Sequence, residues 1–278
     1  SMTDTNLPAD SKVAIVTGAA RGIGLATATL FAEQGLFVIL VDRDEEELQQ
    51  AQANLNNNTP YNHTALVCDV SSPDAVSQMI AQVLDQTGRI DVLVNNAGIA
   101  DFGPIEDTDF QRWRAVMETN LDGVFLCSQA AIPALKETRG AIVNIASTSG
   151  LKGKASLASY SSSKGALMRF TESLAAEWAR HDIRVNVVAP GAFATSAQSA
   201  VLEDENILNI ITEDTEMFSK KAFYDREKSI IELFGSVTIK RGNEIITGDY
   251  GILDTNKNSY KVSSKNSKKV KAIISNTK

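Results

Sequence analysis

The fold is decided by residues 12–31, which read KVAIVTGAARGIGLATATLF. The apolar run at 12–17 predicts a buried strand, the glycines within 18–24 predict a tight turn, and residues 25–31 have a helical pattern. In this order a glycine-rich turn predicts a dinucleotide site, because glycines let the backbone approach a pyrophosphate and the start of a helix offers unpaired N–H groups. The alternative is a glycine turn that serves only the backbone.

The pattern of a strand followed by a helix repeats after this first unit. Apolar runs that predict further strands lie at 36–41, 65–68, 90–94, 141–146 and 183–189. Helical patterns between them cover 44–56, the segment from Ser72 to Gly88, a long stretch from Asp109 to Lys136, and the residues around Tyr160. Strands that alternate with helices predict an α/β fold with a doubly wound, Rossmann-like parallel sheet.

Asp42, at the end of the second predicted strand, bears on the kind of dinucleotide. A carboxylate at this place can accept hydrogen bonds from the ribose hydroxyls of the adenosine half, and it repels a 2′-phosphate. Arg21 and Arg43 favour the opposite choice, since either guanidinium could pair with that phosphate. We give Asp42 the greater weight, because repulsion at contact distance outweighs a partly exposed arginine. The sequence therefore predicts NAD, with NADP as the less favoured cofactor.

Three polar residues in a second stretch, 141–164, predict proton chemistry. Ser147 follows the apolar run 141–146, while Tyr160 and Lys164 are four residues apart and share one face of a predicted helix. A free phenol has a pKa of about 10 and is a weak acid or base at neutral pH. A lysine cation close by stabilises the phenolate, so we expect Lys164 to lower the pKa of Tyr160 towards the range of general acid–base catalysis. Taken alone, this spacing is also typical of a solvated helix face.

These stretches together resemble the short-chain dehydrogenase/reductase family over residues 10–197. The glycine turn is similar to the family's threonine–glycine–x3–glycine–x–glycine motif, and Asn95-Asn96-Ala97-Gly98 matches a family signature. Tyr160 and Lys164 match the family's tyrosine–x3–lysine, with the family's serine at Ser147. The resemblance implies a catalytic set of Asn120, Ser147, Tyr160 and Lys164. It also implies a cofactor site made of Gly18, Arg21, Gly22, Ile23, Gly24, Asp42, Asp69, Val70, Asn96, Ala97, Gly98, Tyr160, Lys164, Pro190, Gly191, Phe193 and Thr195.

The resemblance implies a role for each catalytic residue. Tyr160 exchanges a proton with the substrate oxygen, and Ser147 donates a hydrogen bond to the same oxygen. Lys164 lowers the pKa of Tyr160 and holds the nicotinamide ribose. Asn120 supports Lys164 through a water molecule, although an asparagine inside a helix is more often a satisfied polar group of the core.

The cofactor residues also carry implied roles. Asp69 and Val70 lie against the adenine, although an acid at this place can equally serve a turn or a helix cap. The signature at 95–98 holds the central strands and the floor of the cofactor pocket. Phe193 replaces the small aliphatic residue that the family more often has in the loop under the nicotinamide.

The composition argues against several classes of function. The chain has 278 residues, a net charge of −7 and a pI of about 5.0, so neither nucleic acid nor an anionic membrane is expected as a partner. No run of 18 apolar residues is present, so no membrane span is expected. Cys68 and Cys127 lie in apolar surroundings without metal-ligand spacing, so we expect free thiols, no metal site and a cytoplasmic protein. The start, Ser1-Met2-Thr3, lacks a basic and apolar export signal and looks like an expression scar.

A change of composition near residue 197 predicts a domain boundary. Residues 1–197, the expected NAD-binding catalytic domain, contain thirty alanines, whereas the atypical tail at 198–278 contains three. The first part has 14 basic and 22 acidic residues, and the tail has 13 basic and 12 acidic residues. The tail therefore looks like a foreign segment, joined by gene fusion or by an error of sequence assembly.

The pattern within the tail predicts short alternating strands, for example at 236–241 and 244–248. It resembles the β-jellyroll repeats of the periplasmic lipopolysaccharide-transport proteins. Because glycines and an aspartate interrupt the best apolar run, we expect residues 245–253 to form antiparallel hairpins and not a seventh parallel strand beside 183–189.

Two hypotheses about function follow from these observations. The first is an NAD-dependent oxidoreductase that transfers a hydride between nicotinamide and a small secondary alcohol or ketone, with Tyr160 as acid and base. The second is a cofactor-binding scaffold or interaction protein that has little turnover, because its last third departs from the family. For either hypothesis a homo-oligomer is an additional expectation from the family resemblance.

Overall fold

The structure, a computed structural model, describes residues 11–191 and, in the remaining chain, 208–211, 215–219, 221–225, 230–242, 244–254, 257, 259–264 and 271–274. The chain forms two compact units, Ser1–Phe193 and Ala194–Lys278. Phe193 and Thr195, both predicted as cofactor contacts, lie outside the described residues.

The first unit is built around a parallel sheet of six strands. These are β1 (Val13–Thr17), β2 (Phe37–Asp42), β3 (Thr64–Val67), β4 (Val92–Asn95), β5 (Ala141–Ile145) and β6 (Arg184–Val188). Their order in the sheet is β3-β2-β1-β4-β5-β6, and every neighbouring pair is parallel. The predicted Rossmann-like sheet is therefore confirmed.

Helices connect these strands. They are α1 (Gly22–Glu33), α2 (Glu45–Asn58), α3 (Pro73–Thr87), α4 (Phe110–Met117), α5 (Gly123–Thr138), α6 (Thr148–Leu151) and α7 (Ala158–Trp178), with short 3₁₀ turns at Ile105–Asp107 and Ala179–His181. The ends of α3 follow from its sequence. The Ser72 hydroxyl accepts a hydrogen bond from the Ala75 amide at 3.3 Å, and Gly88 ends the helix in the left-handed conformation.

The long helix predicted from Asp109 to Lys136 is present over residues 110–138, but a π-helical turn at Glu118–Asp122 interrupts its α-helical bonding between α4 and α5. Asn120 lies in this turn and is buried. Its side chain accepts a hydrogen bond from the Ile99 amide and donates one to the Ile99 carbonyl, both at 2.8 Å. A π turn adds one residue to the helix without changing the apolar pattern much, so the 3.6-residue period does not reveal it.

Both faces of the parallel sheet are covered by apolar side chains. Phe37, Ile39 and Val41 of β2 belong to one buried cluster, while Val38 and Leu40 belong to another. Such alternation is the pleat of a strand that is packed on both sides, and each buried aliphatic side chain stabilises the fold by about 1.5–3 kcal/mol. Since both faces are filled, a ligand has access at the carboxyl ends of the strands.

The second unit is an antiparallel sheet. Its strands are β7 (Leu208–Ile211), β8 (Thr215–Ser219), β9 (Lys221–Asp225), β10 (Ile230–Arg241), β11 (Glu244–Asp254), β12 (Ser259–Ser263) and β13 (Lys271–Ile274). The order is β12-β11-β10-β8-β7, with β13 also paired to β11 and β9 to β10. Its described core consists of Met217, Leu233, Val237, Ile239 and Leu253.

The strands β10 and β11 are longer than the sequence predicted. A bulge between Phe234 and Val237 shifts the register, and Gly235 and Ser236 both have positive φ, at 73° and 49°. The partners of β11 in the described sheet, β10, β12 and β13, are all antiparallel to it. The expectation that residues 245–253 are not a seventh parallel strand is therefore confirmed. None of the helices in the described part of the chain has the combined length and hydrophobicity that a bilayer crossing requires.

Candidate active site

Two stretches that follow neighbouring strands, 18–24 after β1 and 96–98 after β4, carry eight of the seventeen predicted cofactor residues. Strands β1 and β4 are adjacent although distant in sequence, and ligands of doubly wound sheets bind where the strand order reverses in this way. The Asn96 side chain donates hydrogen bonds to the carbonyls of Thr17, at 3.1 Å, and Gly18, at 3.0 Å. The Thr17 hydroxyl accepts from the amides of Asn96 and Ala97, both at 3.0 Å. Thr17 was not singled out from the sequence, yet it joins the loop after β1 to the loop after β4.

The glycines of the first loop are required by its geometry. Gly18 has φ of 62°, and a Cβ on it would be 2.9 Å from the Ala97 Cα. A Cβ on Gly24 would be 2.0 Å from the Gly18 carbonyl oxygen. Gly22 also has a positive φ, 58°, which a residue with a side chain rarely adopts. The loop needs these glycines whether it only turns the backbone or also binds a phosphate. Their geometry alone therefore does not distinguish the two interpretations.

The start of α1 favours a bound anion. Arg21 is its N-cap but its side chain does not cap the helix N–H groups, and the first turn, which includes Ile23, contains no acidic residue. By contrast, the carboxylate of Asp44 caps α2. A helix start without a side-chain cap leaves N–H groups available for phosphate oxygens. The residues present therefore fit the pyrophosphate of a dinucleotide.

Asp42, at the end of β2, binds the backbone of the glycine-rich loop and of the start of α2. One of its carboxylate oxygens accepts from the Ala20 amide at 3.1 Å, and the other accepts from the Asp44 amide at 3.1 Å. A carboxylate can accept about four hydrogen bonds, so capacity for ribose hydroxyls remains. The side chain is only half-buried, which leaves it open to a ligand.

Asp69 and Val70 follow β3. Asp69 accepts hydrogen bonds from the Ser71 hydroxyl at 2.7 Å and the Ser71 amide at 3.0 Å, and these bonds lower its pKa. This is the turn role that the sequence left as an alternative to an adenine contact. Val70 is buried, and a Cβ on Gly123 would be 2.7 Å from its Cγ2. Val70 therefore packs tightly on the first turn of α5.

Ser147 and Tyr160 approach each other from β5 and α7. Ser147 is the N-cap of α6, and its hydroxyl oxygen accepts from the Ser149 amide at 3.1 Å. Burial raises the pKa of Tyr160, and a hydrogen bond from the Ser147 side chain acts in the opposite direction. The phenol is therefore protonated at neutral pH in this state of the chain.

Lys164 is buried, with 4% of its surface exposed. Its Nζ donates to the Ile145 carbonyl at 2.8 Å and lies 5.7 Å from the centroid of the Tyr160 ring. Burial lowers the pKa of Lys164 to about 8. The pKa of Tyr160 is thus raised and not lowered as expected, because the loss of hydration on burial is the largest effect and the Ser147 hydrogen bond, not the Lys164 cation, opposes it.

Gly98 lies between two of the predicted catalytic residues. A Cβ on Gly98 would be 3.3 Å from Asn120 Oδ1 and 3.4 Å from Lys164 Nζ. Asn120 also donates to the Ser163 hydroxyl at 3.0 Å, and that hydroxyl donates to the Tyr160 carbonyl at 2.7 Å. Ser163 was not predicted from the sequence. A small polar residue on the inner face of the helix, next to Lys164, was the available signal.

The loop after β6 is described as far as Gly191. The Pro190 carbonyl accepts from the Thr148 amide at 3.0 Å, which ties this loop to the start of α6. A Cβ on Gly191 would have nothing within 4 Å. The contacts that place Ser147 thus include the loop predicted to lie under the nicotinamide.

The remaining candidates for chemistry show no arranged site. Cys68 and Cys127 are free and buried, and burial raises their pKa values to about 11 and about 12. Such thiols are inert as nucleophiles. Within the described ranges, no three or more histidine, cysteine, aspartate or glutamate side chains are grouped so as to hold a metal ion.

Comparison with known proteins adds to this geometry. The chain is 38% identical to meso-2,3-butanediol dehydrogenase of Serratia marcescens over 187 residues. This aligned region covers 67% of this chain and 73% of the relative. The structure of NAD⁺-bound xylitol dehydrogenase superposes with a TM-score of 0.62 at 38% identity, over 65% of this chain and 70% of that one. A variant of actinorhodin polyketide ketoreductase with NADPH has a TM-score of 0.68 at 40% identity, over 70% and 75%.

A family model described as short chain dehydrogenase matches residues 12–206. The similarity of the tail to lipopolysaccharide-transport repeats stays a prediction. Alcohol dehydrogenases and ketoreductases both occur among the similar proteins. Because the family match and the parallel sheet coincide, the chain belongs to the short-chain dehydrogenase family of oxidoreductases.

Proposed function

We propose that this chain is an NAD-dependent oxidoreductase that interconverts a secondary alcohol and a ketone, with Tyr160 as proton donor and acceptor. One observation carries the proposal. The Tyr160 phenol has the Ser147 hydroxyl as a hydrogen-bonding partner, while the buried Lys164 ammonium lies 5.7 Å from its ring. Butanediol dehydrogenase and ketoreductase among the similar proteins support the substrate class.

The proposed chemistry assigns one proton task to each residue. When bound, nicotinamide supplies the hydride donor for reduction and the hydride acceptor for oxidation. Tyr160 gives its phenolic proton to the ketone oxygen, or takes the proton of the alcohol in the reverse direction. Ser147 donates a hydrogen bond to the same oxygen and stabilises the charge that develops on it. The Lys164 cation stabilises the phenolate that Tyr160 becomes after giving up its proton.

Asn120 is proposed as the residue that positions this set. It holds the loop after β4 through two hydrogen bonds to Ile99, and it reaches the helix of Tyr160 and Lys164 through Ser163. The π turn directs its side chain inward at this point. Asn120 therefore couples the cofactor side of the site to the proton-transfer side.

The protonation states of Tyr160 and Lys164 favour ketone reduction as the direction of the proposed reaction. Burial raises the pKa of Tyr160, so the phenol carries its proton throughout the neutral range. Burial also lowers the pKa of Lys164 to about 8, so its ammonium is lost as the pH rises through that value. We expect ketone reduction to fall above pH 8, because a neutral lysine no longer stabilises the phenolate product.

The preference for NAD rests on Asp42. The similar structures include one with NAD⁺ and one with NADPH, so similarity supports a nicotinamide cofactor of either kind. The half-buried carboxylate of Asp42 lies at the end of β2, where it accepts the Ala20 amide of the glycine-rich loop. A 2′-phosphate brought to this place would meet a negative charge at short range.

Tyr160→Phe tests the acid–base role. With NAD⁺ and secondary alcohols, or NADH and ketones, we expect turnover to fall by about 10²–10⁴-fold, because the hydroxyl is removed. NAD⁺ affinity should stay within about twofold. Tyr61→Phe, in the loop before β3, is the matched control and should keep full activity. Unchanged turnover of Tyr160→Phe would remove this residue from the mechanism, and NAD⁺ binding without turnover by the unaltered chain would favour the scaffold.

Asp42→Ser tests the cofactor preference. Removal of the carboxylate should strengthen NADP⁺ binding relative to NAD⁺ by about tenfold or more, since the like-charge repulsion is lost. The binding of both nucleotides can be titrated by isothermal calorimetry. Tighter binding of NADP⁺ than of NAD⁺ by the unaltered chain would show that Asp42 was given too much weight.

We also propose that the protein is cytoplasmic and that it forms a homo-oligomer. Two free, buried cysteines support a reducing compartment. Sedimentation of the purified chain would measure its oligomeric state directly.

A further inference from the structure

Arg21 is engaged by two carboxylates at the edge of the predicted cofactor site. Its Nε lies 2.8 Å from Glu47 Oε2, and its Nη2 lies 3.2 Å from Asp44 Oδ2. Both acids belong to the start of α2, whereas Arg21 belongs to the loop after β1. The side chains are about half exposed, at 52% for Arg21, 39% for Asp44 and 42% for Glu47. The guanidinium is thus paired with two carboxylates along its Nε–Nη2 edge, yet all three groups remain within reach of a ligand.

Asp42 lies within the same group of charges. It accepts the amide of Ala20, the residue before Arg21, and the amide of Asp44. Three carboxylates and one guanidinium therefore meet where the second strand ends, with an excess of two negative charges. Arg43, the other arginine considered for a phosphate, is close enough to Asp69 to contribute to the lowering of that carboxyl's pKa, after the hydrogen bonds from Ser71.

We propose that Asp44 and Glu47 are specificity-determining residues that neutralise Arg21 and thereby exclude cofactors with a 2′-phosphate. The inference rests on the proposed dinucleotide-binding function and extends it beyond Asp42. A 2′-phosphate is recognised by a guanidinium that is free to form a bidentate pair. Here the Nε–Nη2 edge of the guanidinium is already paired with two carboxylates, and the same carboxylates neutralise its charge and repel the phosphate. NAD, which carries a hydroxyl at this position, needs no cation there.

The charges can be removed without disturbing the helix that carries them. Asp44 is the N-cap of α2, and its carboxylate accepts from the Glu47 amide at 3.2 Å. Asparagine is as good an N-cap as aspartate, so Asp44→Asn keeps the cap and removes the charge. Glu47→Gln likewise keeps the length of the side chain. The matched control is Glu45→Gln with Glu46→Gln, which removes the same charge from exposed residues of the same turn.

The experiment is a titration of NAD⁺ and NADP⁺ against four forms of the full chain, all with Asp42 intact. The forms are the unaltered chain, Asp44→Asn/Glu47→Gln, this pair with Arg21→Gln added, and the control pair. We expect Asp44→Asn/Glu47→Gln to bind NADP⁺ about tenfold more tightly than the unaltered chain does, with NAD⁺ affinity changed by less than about threefold. Adding Arg21→Gln should abolish the gain. The gain should also shrink as salt is raised, because exposed charges are screened.

Each other outcome overturns the inference. An unchanged NADP⁺ affinity in Asp44→Asn/Glu47→Gln would show that the two acids do not control the site. An equal gain in the control pair would show a general effect of net charge, and a gain that survives Arg21→Gln would show that Arg21 is not the residue released. Failure of the unaltered chain to bind NAD⁺ would overturn the proposed function itself, and this inference with it.

Discussion

Gly150 lies directly against the backbone of Lys164, since a Cβ on Gly150 would be 2.7 Å from the Lys164 carbonyl carbon and 2.8 Å from the Gly165 nitrogen. Backbone atoms cannot move aside as the end of a side chain can. This contact seats α6, which Ser147 caps, on the helix that carries Tyr160 and Lys164. The distance between the serine and the tyrosine therefore depends on the absence of a side chain at residue 150.

We accordingly predict that Gly150→Ala separates Ser147 from Tyr160 and lowers kcat by about 10²-fold, the effect of a misplacement of about 1 Å. Gly153→Ala is the matched control, because a Cβ there would meet nothing within 4 Å. Steady-state kinetics of the two variants measure the difference. Equal activity of both would show that the α6–α7 contact does not position the serine.

A second prediction concerns the cost of burying Lys164. Burial holds its pKa at about 8, against 10.5 for the unperturbed side chain. Between these values the unfolded chain binds more protons than the folded chain, so stability rises with pH by up to about 3 kcal/mol across this window. Lys164→Met should therefore be inactive, yet more stable than the unaltered chain at pH 7 by about 1–3 kcal/mol after allowance for the donor lost by the Ile145 carbonyl.

Urea unfolding followed by tryptophan fluorescence measures this difference, because both tryptophans, Trp113 and Trp178, belong to the first unit. The gap between the two proteins should narrow from pH 8 upward. Lys152→Met, at an exposed position, is the control and should change stability little. A Lys164→Met chain that is less stable at pH 7 would contradict the prediction.

A third prediction concerns His63, which is buried beside β2. Its Nδ1 accepts from the Val38 amide at 3.0 Å, so the ring proton is on Nε2, which lies 3.1 Å from the Thr59 hydroxyl oxygen. Burial lowers the pKa of His63 from 6.5 to about 4. As the pH falls, His63 therefore takes up a proton in the unfolded chain before it does so in the folded chain. The contribution of the neutral His63 to the free energy of unfolding is complete above pH 6.5 and is lost progressively down to about pH 4.

The loss should amount to roughly 3 kcal/mol over that range. His63→Gln should flatten this part of the pH dependence, whereas His181→Gln, which removes the chain's other histidine, should leave it in place. Urea unfolding at intervals of about half a pH unit resolves a slope of this size. An identical slope in His63→Gln would assign the acid sensitivity to other groups.

A fourth prediction concerns the tail. The three apolar clusters of the first unit are built from residues 13–189, and every described residue of the proposed site lies in the same unit. A chain that ends at residue 197 should therefore fold and bind NAD⁺ within about threefold of the affinity of the full chain. Calorimetric titration of both chains provides the measurement. Loss of binding in the shortened chain, with the helical signal of its circular dichroism retained, would assign the tail a part in the site.

The parallel sheet could be predicted because its strands are buried on both faces and read as apolar runs, as residues 37–42 show. Two features could not be predicted in this way. The π turn at 118–122 depends on the bonds of Asn120 to Ile99, which lies 21 residues earlier. The bulge at Gly235 and Ser236 breaks the alternation of β10, so the pattern showed only the half of the strand after it.

The candidate site was found from short motifs, because its chemistry needs particular side chains at fixed spacing. The motifs do not contain the residues whose contacts set the pairing and the pKa values of these side chains. The partners of Arg21 come from the first turn of another helix, at Asp44 and Glu47. The direction of the Tyr160 pKa depends on how deeply the phenol is buried, which a sequence does not state. Tertiary contacts therefore decide what local spacing leaves open.

The π turn makes chain length a critical property of this segment. In a regular α-helix, losing one residue would rotate everything that follows by about 100° and shift it by about 1.5 Å. The turn at 118–122 already holds one residue more than an α-helical turn, so deleting one residue there would restore a continuous α-helix and leave α5 in place. The buried stripe formed by Cys127, Ala131 and Leu135 would stay in the core. What the deletion would cost is the inward direction of Asn120, and with it the two bonds to Ile99. The extra residue therefore serves the site and not the packing of the helix.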